Sequence, residues 1–209
     1  MNYEKGKSFV ANPRLLKADT ALYFPNLHGN TLVPGSNGVD TTPLLKNKIS
    51  IVAVFSCVWA ERQVQSFLDA TKNPELHKAV QSNLSTIQFV NISFEDNLMK
   101  SFLVRLFTYR LRRQTAEEDW RRYFFINKGM SDEMLEAMGV MNRKVGYVYL
   151  VDRNCRIRWA GSGDATGDEL RYMVEGLKKL LDESRSLPKV RYIPKKPLPP
   201  TELYDTLVS

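Results

Sequence analysis

The chain has only two cysteines, Cys57 and Cys155, and two histidines among its 209 residues. The cysteines form no CxxC pair and no histidine lies near either one. This argues against a disulfide scaffold and a structural zinc site, and fits a reducing compartment. Long hydrophobic runs are also missing. The longest uncharged apolar stretch, ISIVAVFSCVWA at 49–60, falls well short of the roughly 20 residues a membrane-spanning helix needs. The opening MNYEKGKSFVANPRLLKAD has no apolar core of the secretory type, and its acids and single arginine make a poor transit peptide. The sequence therefore predicts either a cytosolic chain or one that begins after a targeting segment.

What is present is positive charge. A net charge of +7 and a pI near 9.4 point to an acidic partner, which could be nucleic acid, an anionic membrane or a protein. Nucleic acid is not expected, because the aromatics and arginines are not arranged as an RNA-reading strand pair. An apolar share of 43% with 25% charged residues is that of a globular protein, which excludes wholesale disorder.

Three parts follow from the patterning: an irregular N-terminal extension (1–20), a folded domain (21–185) and a Pro-rich basic tail (186–209). Within the domain, residues 49–57 are β-branched and aromatic without a breaker, as suits a strand buried on both faces. Ala60, Val64, Phe67, Leu68 and Thr71 then recur at helical spacing. Asn73 as N-cap and Pro74 at the first helical position restart a short helix. Residues 86–92 read as a second strand. Ser131 caps a helix above Asp132 and Glu133 that closes at Gly139. Residues 146–151 and 156–160 form a hairpin. Thr166 and Glu169 make the capping box of a last helix whose inner stripe is Leu170, Met173, Val174, Leu177 and Leu181. This order predicts a thioredoxin-like three-layer α/β sandwich with a helical insertion at about 96–141.

Such a fold does redox chemistry through a thiolate at the start of its first crossover helix, where helix N–H groups lower the thiol pKa. Here Cys57 occupies that corner, but Ala60 stands three residues on. Before the hairpin, where the oxidoreductases need a cis-proline, the residues are Lys144, Val145 and Gly146. Cys57 thus reads as a degenerate redox position, a small buried hydrophobe. Cys155, in the hairpin turn, is expected at the opposite rim, beyond the roughly 7 Å that a disulfide can bridge. Gly161 and Gly163 are expected to serve the sharp exit into the last helix, with Trp159 packed beside them. No catalytic residue, metal ligand or cofactor site is expected. The alternative is a thioredoxin- or peroxiredoxin-type thiol oxidoreductase using Cys57.

The insertion offers a different surface. Over 96–113, Leu98, Met99, Phe102, Leu103, Leu106 and Phe107 form a broad apolar face. Lys100, Arg105, Arg112 and Arg113 lie mostly off it, and Arg121 and Arg122 follow. Leu98, Phe102, Arg105, Leu106, Arg112, Arg113, Arg121 and Arg122 are the candidate partner-binding residues, with the arginines expected in solvent. Such a helix could dock on a hydrophobic client or an anionic bilayer, where each basic residue contributes about 1 kcal/mol.

Three runs carry a resemblance: GKSFVANPRLLKADTALYFPNLHGNTL (6–32), ERQVQSF (61–67) and YLVDRNCRIRWAGSGDAT (149–166). Together they resemble the Atp-ten family of mitochondrial ATPase-complex assembly factors, over roughly residues 6–185. The resemblance implies a thioredoxin-like, non-redox protein on the matrix side of the mitochondrial inner membrane. It implies help in assembling F-type ATP synthase by binding newly synthesised subunit a, the proton-channel subunit, before it meets the c-ring. The implied partners are subunit a and, peripherally, the inner-membrane surface. The targeting segment and polar stretch expected upstream are not found ahead of the matching run.

Overall fold

The computed structural model describes residues 6–94, 101–126 and 130–186, and the side chains of all of these except 101–107. In chain order the elements are β1 (His28–Thr31), β2 (Val39–Asp40), α1 (Thr41–Leu45), β3 (Ile49–Phe55), α2 (Val58–Leu68), α3 (Pro74–Gln81), β4 (Ile87–Phe94), α4 (Ser101–Gln114), a 3-10 turn (Glu117–Arg122), β5 (Tyr123–Ile126), α5 (Asp132–Ala137), β6 (Tyr147–Val151), β7 (Ile157–Ser162) and α6 (Gly167–Ser186). The strands form one sheet in the order β2-β1-β5-β4-β3-β6-β7.

At the centre β3 runs parallel to β4, with α2 and α3 as the crossover, and antiparallel to β6, which turns back into β7. Every residue of β3 is buried. Its alternation splits Ile49, Ile51, Ala53 and Phe55 from Val52 and Val54, and each set feeds a different core. On one face the first set packs under α2, α3 and α6 through Val64, Phe67, Leu76, Met173 and Leu177. On the other, Val52 and Val54 join Phe24, Phe94, Leu135, Tyr147 and Tyr149. Thioredoxin-like three-layer packing is thereby established.

The helix signals act where the sequence places them. Asn73 accepts a hydrogen bond from the Leu76 amide and Pro74 opens α3. The Ser131 hydroxyl accepts from Met134 N–H, and Gly139 closes the turn after α5 at φ +69°. The Thr166–Glu169 capping box is formed in both directions, Glu169 N–H to Thr166 Oγ1 and Thr166 N–H to Glu169 Oε2. One expected helical position fails. Thr71 lies beyond α2, because the Asp69 carboxylate accepts from the Thr71 amide at 2.7 Å and turns the chain. The span 96–141 also holds a strand that periodicity does not announce. β5 extends the sheet parallel to β4, and β1 pairs with its other side.

Residues 7–24 lie along β7, the strand at one edge of the sheet. Ile157 N–H bonds to Leu22 C=O, Phe24 N–H to Cys155 C=O, and Leu16 N–H to Arg158 C=O. Farther up the strand, the Ser162 hydroxyl accepts from the Ser8 and Phe9 amides, and the Trp159 indole N–H donates to Asn12 C=O at 2.9 Å. This strap covers an edge that would otherwise offer a row of unpaired groups to another chain. Its head is fixed by Lys7, whose ammonium lies 2.7 Å from Glu169, a carboxylate almost wholly removed from solvent. Gly163, at φ +64°, makes the exit from β7. Gly161 serves a different purpose from the turn expected of it. It lies within β7, and a Cβ there would meet the Phe67 and Trp159 rings at 2.9–3.0 Å, so its bareness admits α2.

Candidate functional site

The corner where β3 gives way to α2 is where thioredoxin-like chemistry would be placed. β3 ends at Phe55, two residues earlier than the apolar run suggests. Ser56 then donates its hydroxyl hydrogen bond to Arg143 C=O at 2.5 Å, and Cys57 becomes the N-cap of α2 with extended backbone angles. That geometry turns the Cys57 side chain outward. The expectation of a buried cysteine is therefore corrected: Cys57 is exposed, its sulfur 4.0 Å from Lys144 C=O. Three residues on, Ala60 is fully buried.

Cys155 is buried at the other end of the sheet. The pairing of Val54 with Tyr147 and of Ser50 with Val151 sets the two cysteines at opposite rims. Cys155 holds the turn of the hairpin at φ +64°. Burial raises its thiol pKa, Asp152 raises it further, and Lys46 opposes both.

The position ahead of the hairpin is closed from inside. Gly146 lies directly under the first turns of α2, so close that a Cβ would stand 2.2 Å from Ala60 C=O and 2.9 Å from Val64 Cγ1. Its amide, which a proline would not possess, donates to the Gln63 side-chain carbonyl at 2.9 Å. Its own carbonyl accepts from Gly163 N–H. Gln63 is buried and its Nε2 has no partner among the described residues. Glycine stands where a loop proline would be needed, and both its backbone groups are satisfied inside the protein, the amide by Gln63 and the carbonyl by Gly163.

Glu61 on α2 acts on Tyr123 of β5. Burial raises the Glu61 pKa. Burial, and then the nearby Glu61 carboxyl, raises the Tyr123 phenol well above its ordinary range. The Tyr123 hydroxyl has no hydrogen-bond partner among the described residues. Among the described residues no group of three or more His, Cys, Asp or Glu could hold a metal ion.

The arginines of the insertion divide into two kinds. Arg112 is not a solvated charge: its Nε donates to Leu32 C=O at 2.6 Å and its guanidinium lies 5.7 Å from the Trp120 ring centre. Arg122 is tied to Asp119 at 2.5 Å and to Glu118 C=O. Arg113 and Arg121 are exposed. Leu98 lies outside the described residues. Phe102, Arg105 and Leu106 belong to α4, but their side chains lie outside what is described. Tyr109 and Arg110 are exposed as well and share a helix face with Arg113, while Leu111 turns into the core. Sequence reasoning missed Tyr109 and Arg110. The signal was the i, i+1, i+4 spacing of 109, 110 and 113 around Leu111.

A cleft of about 560 Å³ lies at the opposite pole, lined in part by Arg153, Arg156, Lys179 and Asp182. In its wall the buried Arg158 is saturated by Glu183, Asp152 and Leu16 C=O. Among the described residues no helix is long and apolar enough to cross a membrane.

A mixed seven-stranded sheet with a lone exposed cysteine at the first crossover helix, and glycine in the loop facing it, defines a thioredoxin-like protein without the dithiol constellation. Two solved structures share the fold. A secreted thiol-disulfide isomerase from Corynebacterium glutamicum matches at TM-score 0.53 and 10% identity, over 84% of this chain and 93% of that one. BsSco, of the Sco family of cytochrome c oxidase assembly proteins, matches at TM-score 0.51 and 12% identity, over 82% and 99%. The chain belongs to the ATP10 protein family, whose model matches residues 1–180. It is 32% identical over 187 residues to the mitochondrial ATPase complex subunit ATP10 of Saccharomyces cerevisiae, covering 84% of this chain and 66% of that protein. It is 29% identical over 181 residues to the probable mitochondrial ATPase complex subunit atp10 of Schizosaccharomyces pombe, covering 86% and 62%. The chain thus spans somewhat less than two thirds of the length of these relatives.

Proposed function

We propose that the chain is an assembly factor for mitochondrial F-type ATP synthase. In this reading it holds newly made subunit a until that subunit joins the c-ring, and performs no redox catalysis. It works as a peripheral protein on the matrix side of the inner membrane. Family membership supports the assembly role, and the observation that carries the non-redox part is the closed Gly146–Gln63–Ala60 contact beside a solitary thiol. Resolving a mixed disulfide within the chain needs a second thiol in reach of the first. The buried Cys155 at the far rim cannot supply it.

The exposure of Cys57 at a helix N-terminus is the one observation that favours the other reading, a thiol oxidoreductase. The variant Cys57→Ala/Cys155→Ser separates the two. It is expected to restore ATP synthase assembly to cells lacking the protein, with a stability loss of about 1 kcal/mol arising mainly at the buried Cys155. A folded, abundant double variant without assembly activity would establish thiol chemistry instead.

In this reading the client docks on the outer side of α4, a choice supported by the exposure of Tyr109, Arg110 and Arg113 there and of Arg121 after it. The α4 positions Phe102, Arg105 and Leu106 and the preceding Leu98 belong to the same proposed surface; Arg112 and Arg122 serve the fold. Such a surface offers an unassembled membrane subunit both apolar and cationic contacts. Replacing Arg110, Arg113 and Arg121 by Glu should lower crosslinking to subunit a about fivefold and shift the thermal midpoint by less than about 2 °C, since these arginines are solvated. An unchanged crosslink yield would move the client surface elsewhere.

A further inference from the structure

The end of β3 leaves a second surface that neither redox chemistry nor the core explains. Val58 is 77% exposed, Trp59 49% and Met141 71%. Single exposed apolar residues are ordinary, but these three stand on two segments that meet. Residues 56 and 57 touch the carbonyls of Arg143 and Lys144, two and three positions after Met141. The Trp59 ring rests on Gly6, where a Cβ would stand 2.6 Å from it, so the indole is propped from one side and open on the other. A large aromatic held in place before contact is the kind of residue that dominates binding energy at interfaces.

The rim carries positive charge. Arg62, one helical turn from Val58 and Trp59, and Lys144 on the facing loop are both exposed, and neither has a carboxylate partner among the described residues. The nearest acid of α2, Glu61, is half-buried toward Tyr123. We propose that Val58, Trp59 and Met141 form a docking corner for an extended segment of a partner protein in which apolar side chains are flanked by acidic ones, with Arg62 and Lys144 meeting the acids. Charge complementarity selects this occupant: a lysine-flanked segment of the same apolar content would be repelled. The corner selects by chemistry and not by the identity of one client, so its failure would leave the assembly role standing.

The test uses the full chain and two fluorescein-labelled nonapeptides with the same Leu-Phe-Leu centre, one flanked by glutamates and one by lysines. Fluorescence anisotropy should show the glutamate peptide binding about tenfold more tightly, with Trp59→Ala weakening it about tenfold. Arg62→Glu/Lys144→Glu, two exposed positions, should invert the preference while leaving the thermal midpoint in place. Equal affinity for the two peptides, or full binding by Trp59→Ala, would overturn the proposal. So would binding that emerges only when residues 1–5 are removed, which would assign the corner to the chain's own N-terminus.

Discussion

Gly146→Ala should destabilise the protein by about 3 kcal/mol, the upper range for forcing atoms into a packed interior. The added methyl would lie 2.2 Å from the Ala60 carbonyl, a backbone atom of a helix whose inner face is locked into the core. No side-chain rotation relieves that contact, so α2 must lift off β6 or β6 must shift. The larger Val64 contact at 2.9 Å lies on the same side. A urea titration measures the effect, with Gly167→Ala as control. Gly167 opens α6 with nothing within 4 Å of its would-be Cβ, so that change should be neutral or slightly stabilising. If Gly146→Ala were as harmless as the control, the closed contact invoked for the absence of a loop proline would not exist in solution.

Glu169→Gln is the second large effect, at about 3 kcal/mol, as expected when one partner of a buried ion pair is removed. Glu169 accepts from the Lys7 ammonium at 2.7 Å, the Ala11 amide at 3.0 Å and the Thr166 amide at 2.9 Å. Glutamine would leave the largely buried Lys7 charge uncompensated and turn an amide donor toward other donors. Burial alone would raise the Glu169 pKa, but the bonds from Lys7, Ala11 and Thr166 outweigh it and hold the carboxyl below its ordinary 4.5. The folded state therefore takes up this proton less readily than the unfolded chain. Its stabilisation is complete above the ordinary carboxylate range and is lost as pH falls through the folded value. The stability gap between wild type and Glu169→Gln should accordingly be constant near neutrality and shrink below roughly pH 4. Hydrogen exchange gives the second readout: the Ser8, Phe9 and Ala11 amides should lose protection while β3 and β6 keep theirs. A pH-independent gap, or an unaltered strap, would remove Glu169 from this role.

Much of this architecture is written locally. β3 is legible because a breaker-free β-branched run suits a strand buried on both faces, and α3, α5 and α6 because their caps are side chains within three residues of the amides they satisfy. What was not legible depends on distant partners. β1 (HGNT) and β2 (VD) have no apolar alternation and exist because β5 and β1 offer pairing edges. β5 is four residues long and follows the charged run EEDWRR. The strap of residues 7–24 is held by scattered bonds to β7 and α6, which leave no period in its sequence. Arg112 looks like a solvated charge until the chain brings Leu32 C=O, 80 residues away, to its guanidinium.

The site shows the same division. The missing second cysteine and missing proline were plain in the sequence. The outward turn of Cys57 was not, because an apolar run does not mark the residue at which a strand stops. Ending β3 at Phe55 and not at Cys57 converts a buried thiol into an exposed one. It also brings Val58 and Trp59 to the surface. Gln63 gave no signal either. A buried amide that satisfies Gly146 N–H, 83 residues on, is recognisable only once α2 lies over β6.

The central claim, that this chain holds a membrane subunit for ATP synthase assembly without thiol chemistry, is tested most directly by one crosslinking measurement. The cysteine-free chain, Cys57→Ala/Cys155→Ser, carries a photo-activatable residue in place of the exposed Tyr109 and is placed in mitochondria that are translating their own genome. The account predicts an adduct containing radiolabelled, newly made subunit a, at the yield given by the cysteine-containing chain with the same probe. Absence of subunit a from the cysteine-free adduct, with its recovery in a reductant-sensitive adduct when Cys57 is restored, would contradict it.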